Sequence, residues 1–147
     1  MSTSKLMKER VRRVRVLFKE LGYKLFDGEL DNGSYSAAFT DRKGFQSGFY
    51  IDNECTFLEL SFSFMFSNKL AKYVQNKLEE ILLLCYEFGC YVNIQNDEDE
   101  IIFSVFSKIY YSGLTYEALK ETLIDFRLCV EAIKEVFQLN GEDDEST

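Results

Sequence analysis

The stretch FLELSFSFMF, residues 57–66, puts Leu58, Leu60, Phe62, Phe64 and Phe66 at every second position, with Glu59, Ser61 and Ser63 between them. That period of two belongs to a strand with one face buried. The even face is uniformly apolar, as one-sided burial in an antiparallel sheet requires. Phe62, Phe64 and Phe66 are therefore expected to pack under helices of the same chain. Phe57 and Met65 then point the other way.

Towards the N-terminus, GFQSGFYID (44–52) carries Phe45, Phe49 and Ile51 on one side, and SYSAAFT (34–40) carries Tyr35, Ala37 and Phe39. The turns IDNE, DRKG and DNGS separate these runs, the last with an Asn-Gly pair suited to a tight hairpin. GYKLFD (22–27) adds a short extended piece. Three strands joined by short turns read as an antiparallel meander.

Before the meander, residues 5–21 follow helical spacing. Leu6, Met7, Val11, Val14, Leu17, Phe18 and Leu21 fall within about 140° of a helical wheel, and Lys5, Lys8, Arg12, Arg15 and Lys19 fill a separate arc of roughly 80°. Gly22 is placed to end this helix. After the comb strand, Ser67 or Asn68 can cap a helix running to Gly89, with Leu70, Val74, Leu78, Ile81, Cys85 and Phe88 as its stripe. Leu83 and Tyr86 fall outside that stripe, so this helix is expected to be covered on more than one side.

A hairpin follows, CYVNIQ (90–95) and EIIFSVFSKIYY (100–111) flanking an acidic turn. Ile101, Phe103, Val105 and Ile109 share one face of the longer strand; Ile102, Phe106 and Tyr110 share the other. If this strand and the comb strand are close, Phe57, Met65, Phe106 and Tyr110 form an exposed apolar patch, the kind of surface that binds a partner. Thr115 caps the last helix, with Glu117 near its positive end. Leu119, Leu123, Phe126, Val130, Ile133 and Phe137 form its core stripe. The acidic end, residues 140–147, is expected to be a mobile tail.

Composition limits the functions open to the chain. With 147 residues, 46% of them hydrophobic and including 14 Phe and 9 Tyr, it is expected to form one domain with a large core. The net charge is -8, yet the first 24 residues carry eight basic and two acidic side chains. The N-terminal segment is thus +6 and the remainder -14. Overall acidity disfavours long-range attraction to nucleic acid, while the basic stripe is the local exception that could grip phosphates. Stacking aromatics are missing from the stripe, so its simplest reading is a solvated face that balances the acidic body.

Catalytic signatures are missing too. Histidine is absent, which removes the usual base for a Ser or Cys nucleophile. No phosphate-binding glycine loop or zinc-protease motif occurs. Four cysteines without a CxxC pair read as buried small hydrophobes rather than metal ligands, and the acidic run at residues 97–100 lacks the glycine and spacing of a calcium loop. No apolar run is long enough to cross a bilayer as a helix, and the charged N-terminus is unlike a secretory signal. The expectation is a non-enzymatic, cofactor-free, cytoplasmic protein without membrane insertion.

The order helix, three strands, helix, two strands, helix describes an α+β protein with helices packed on one face of an antiparallel sheet. That order, the ELGYKLF ending of the first helix (residues 20–26) and the closing run from residue 96 to 137 together resemble the YbjN-like proteins, over roughly residues 5–139. Unlike those relatives, this chain has no proline. The resemblance implies the fold shared with type III secretion chaperones, which are small, acidic, dimeric and not enzymes. It implies a regulatory or chaperone-like role, with a polypeptide held by equilibrium binding on an apolar surface. Leu83 and Tyr86 would then help form a homodimer contact. A dedicated secretion chaperone is the nearest alternative, and a phosphate-binding or nucleic-acid-binding module using the first helix is the rival from another class.

Overall fold

The computed structural model describes residues 4–139; the acidic run expected to form a tail lies outside them. It is an α+β protein of three helices and six strands: α1 (Lys5–Glu20), β1 (Lys24–Asp31), β2 (Ser34–Thr40), β3 (Gln46–Asp52), β4 (Phe57–Ser67), α2 (Ala71–Phe88), β5 (Tyr91–Asn96), β6 (Glu100–Tyr110) and α3 (Tyr116–Val136). The strands form one sheet in the order β1-β2-β3-β4-β6-β5, so β1 and β5 are its outer strands.

Four strands, not three, precede α2, because the short piece expected after the first helix is the eight-residue strand β1. Asn32 and Gly33 both have positive φ, 49° and 83°. Such a pair turns the chain in two residues and matches the twist of the flanking strands. Asp31 therefore pairs with Ser34, and pairing runs back to Lys24 opposite Thr40, with one irregularity between Phe26 and Glu29. Asp27 lies at φ 56° inside it. At the neighbouring Gly28, a Cβ would collide with the Tyr35 hydroxyl. This strand is mostly exposed and polar, so it lacks the alternation that marked its neighbours.

The chain divides into two compact units, each discontinuous in sequence. The first comprises Met1–Ser61 and Lys108–Leu123. Its core is aromatic: Phe18 of α1 stacks on Phe49 at 4.8 Å and meets Phe39 at 5.0 Å, and Tyr23 closes edge-on against Phe18. The buried seam of α1 is Met7, Val14 and Phe18. That seam is narrower than the wheel implied, and Leu6, counted in the apolar arc, is exposed at the first turn. Turn carboxylates hold the meander: Asp41 accepts from the Lys43 and Phe45 amides, and Asp52 from the Glu54 amide.

The second unit comprises Phe62–Ser107 and Ile124–Thr147. Phe137, just beyond α3, meets Phe66 at 4.8 Å, Phe103 at 5.5 Å and Phe64 at 5.7 Å. Phe64 and Phe66 are buried, as the alternation implied. Phe62 is only half-buried; its ring lies against Phe64 and under the ammonium of Lys134, 5.0 Å away. Ser67 caps a short 3-10 turn that leads into α2, and Gly89, with φ 70°, closes the helix in the left-handed conformation that glycine adopts without strain. Thr115, in the first unit, caps α3 by accepting the Ala118 amide at 3.1 Å.

Candidate functional site

Helix α1 separates its cations into two sets. Ser4 starts the helix by accepting the Met7 amide at 3.0 Å, and burial of Met7, Val14 and Phe18 fixes which side faces in. Arg10, half-buried, and Arg13, exposed, both donate to backbone carbonyls of the protein. Arg10 donates to the Cys55 carbonyl at 3.2 Å, with its guanidinium 4.3 Å over the Tyr111 ring, and Arg13 donates to the Leu114 carbonyl. Lys5, Lys8, Arg12, Arg15 and Lys19 are all exposed.

Four of those five, Lys8, Arg12, Arg15 and Lys19, border a groove of about 460 Å³. The rest of its lining is Val11 and Val16 of α1, Leu30 of β1 and Tyr35 of β2. Leu30 and Tyr35 face each other across the hairpin. Val16 and Leu30 are 41% and 49% exposed, so aliphatic surface lies open beside the cations. Arg12 holds Glu9 with two hydrogen bonds, of 3.1 and 3.3 Å. That pairing keeps the Glu9 carboxyl below its usual range, chiefly through the hydrogen bond and then through charge. Lys8, Arg15 and Lys19 have no carboxylate partner among the described residues. The Asn-Gly turn is the sequence signal for the Leu30–Tyr35 pair, but nothing in the sequence distinguishes the arginines that donate to backbone carbonyls from the others.

The aromatic patch expected from Phe57, Met65, Phe106 and Tyr110 divides between the units. In the first, Phe57 and Tyr110 meet edge-to-face at 5.7 Å, and the Lys108 ammonium lies 4.8 Å over Phe57 and 5.5 Å over Tyr110. In the second, Phe106 stacks on Tyr91 at 5.4 Å, and Met65 is 65% exposed. Phe57 and Phe106 are half-buried, while Tyr110 is exposed. Lys108 and Tyr91 are the partners that sequence reading missed. On α2, Leu83 and Tyr86 are exposed, Tyr86 at 86%, and Leu82 joins them.

Three of the four thiols are held protonated. Cys85 and Cys129 are buried and Cys55 and Cys90 are half-buried, with no disulfide among them. A hydrogen bond with Cys129, followed by burial, pushes the Cys85 thiol far up. For Cys129, the bond with Cys85 pulls downward, but the bond with Cys90 and burial outweigh it, leaving the thiol at about 12. Partial burial and then the Asp52 carboxylate raise Cys55. Thiols held protonated in this way are poor nucleophiles and poor ligands. Among the described residues, no group of three or more Cys, Asp or Glu side chains is arranged to hold a metal ion. No helix among them is long and apolar enough to cross a membrane.

No family model matches this chain, and no curated protein does. Among solved structures, the chain is similar to one described as the crystal structure of an uncharacterized protein from Methanothermobacter thermautotrophicus. The two share 9% identity and superpose with a TM-score of 0.66, over 86% of this chain and 96% of that one. At that identity the likeness concerns the fold alone: the α+β arrangement found here also occurs in a solved protein.

Proposed function

We propose that this chain is a non-enzymatic polypeptide-binding domain, a regulatory or chaperone-like protein of the YbjN-like kind. The observation that carries the reading is the outward aromatic cluster of the first unit, Tyr110 with Phe57 and Lys108; in the second unit, Met65 is exposed on its own. Methionine and aromatic side chains adapt to varied apolar partners, and a ring beneath an ammonium presents polar and apolar contacts together. A dedicated secretion chaperone would use the same surface. Phosphate or nucleic-acid binding is the second reading, favoured by the four basic side chains around the α1 groove.

Affinity capture from host cells, followed by mass spectrometry, tests the first reading. The expected result is a protein partner that resists nuclease treatment and is lost when Tyr110→Ser is made in a chain that still melts normally. Capture that nuclease abolishes would favour the second reading.

A further inference from the structure

We infer that the groove between α1 and the Leu30–Tyr35 pair is a docking site for an acidic–apolar segment of a partner polypeptide. This rests on the reading of the chain as a polypeptide-binding domain and gives one of its contacts a chemistry. Charge complementarity is the first argument. Lys8, Arg15 and Lys19 have no carboxylate partner among the described residues, and Arg12 shares only an exposed pair with Glu9. Arg10 and Arg13, by contrast, are committed to the protein's own carbonyls. Positive charge is therefore held on the groove side of α1 in a chain whose net charge is -8. Complementary potentials of this kind select partners and raise association rates more than they add affinity.

The floor decides what kind of anion fits. Val16 and Leu30 are exposed in the lining beside the cations, and Tyr35, also in the lining, is buried. A phosphodiester backbone would cover the cations and leave the aliphatic surface wet. A base would find no exposed ring face to stack on, the contact that non-specific single-strand binders depend on. A peptide bearing both carboxylates and aliphatic side chains satisfies both linings. Its length follows from the helix: eleven residue steps from Lys8 to Lys19 rise about 16 Å at 1.5 Å each. An extended chain covers that distance in about five residues, with same-side side chains roughly 7 Å apart. Two or three carboxylates on one side can thus meet the row of cations.

The probe is a fluorescein-labelled hexapeptide alternating glutamate and valine, followed by fluorescence anisotropy with the full chain at low salt. Three competitors separate the explanations: a glutamate–serine hexapeptide of equal charge, a lysine–valine hexapeptide, and a uridine hexanucleotide. The glutamate–valine peptide should bind best and weaken as salt rises. Arg12→Glu combined with Arg15→Glu should weaken it at least about tenfold. Val16→Asp, also at an exposed position, should weaken it while leaving all four cations in place. Unchanged circular-dichroism melts in both variants keep the comparison valid. Equal binding of the glutamate–serine peptide, tighter binding of the hexanucleotide, or no binding of any probe would each overturn the assignment. A partner captured from cells equally well by the Arg12→Glu, Arg15→Glu chain would leave the polypeptide-binding reading standing and remove the groove from it.

Discussion

Phe62 and Phe64 are two residues apart on one strand and face the same way, yet only Phe64 is enclosed. Phe64→Ala should cost about 3–5 kcal/mol, since it leaves a cavity bounded by Phe66, Phe103 and Phe137. Phe62→Ala should cost roughly half as much or less, because water already reaches its ring and the site can refill. Urea melts of the two variants measure the difference; equal costs would mean that Phe62 is packed as tightly as Phe64. Tyr111 poses a different residue-scale problem. Its hydroxyl is buried without a hydrogen-bond partner among the described residues, while its ring carries the Arg10 guanidinium. Burial pushes the phenol up to about 12, with Arg10 pulling against it. Below pH 10 the folded and unfolded chains both hold this proton. Between about 10 and 12 the unfolded chain releases it first, so this group's contribution to stability falls as pH rises. Tyr111→Phe removes an unsatisfied polar atom and keeps the ring, so it should leave stability at neutral pH unchanged or slightly higher. The same variant should show a shallower loss of stability between pH 10 and 12. A clear drop at neutral pH would show that the hydroxyl has a partner in solution.

At the scale of elements, α1 shows what hydrophobic periodicity can and cannot reveal. Its buried seam, its basic arc and its end at Gly22 follow from spacing alone. Which arginines are committed does not, because that depends on carbonyls supplied by Cys55 and Leu114, far away in sequence. The measurable consequence is a split among cations of one helix. Arg10→Ala should lower stability by about 1–3 kcal/mol, as expected when a charged donor to a backbone carbonyl is lost, and Arg13→Ala, at an exposed position, by less. Changing Lys8, Arg15 or Lys19 to Ala should alter it by less than about 0.5 kcal/mol. Thermal melts distinguish the two classes, and equal losses would place the exposed set in the fold rather than on a surface. Strands were legible in proportion to their one-sided burial. Strands β2 and β3 alternate strictly because one face is covered, and β4 does so except at half-buried Phe62, whereas β1 is an outer strand with little buried on either side. From spacing it reads only as a short extended piece, residues 22–27, beside an Asn-Gly turn. The candidate groove was half legible for the same reason: its cations and two valines come from α1, while Leu30 comes from the strand whose pattern is weakest.

At the scale of the whole molecule, charge and apolar surface act in opposite directions. A net charge of -8 on 147 residues opposes self-association, yet α2 exposes Leu82, Leu83 and Tyr86 along one stripe. Singly exposed apolar residues are ordinary on protein surfaces, but three within one and a half helical turns are a contiguous patch of the sort found at interfaces. Tyr86 is the most exposed of them, and tyrosine suits an interface because its ring is apolar and its hydroxyl remains wet. A helix–helix contact through this stripe between two identical chains would be self-complementary and would close as a dimer. The acidic surface elsewhere would then limit growth beyond two chains. Light scattering should therefore give about twice the 17.2 kDa chain mass, with the dimer fraction rising as salt screens the repulsion. Leu83→Glu combined with Tyr86→Glu should return the mass to one chain without lowering the melting temperature of the monomer, because neither side chain is buried within it. A monomer at every protein and salt concentration would remove α2 as a dimer surface and leave the stripe as exposed apolar surface with no second copy on it.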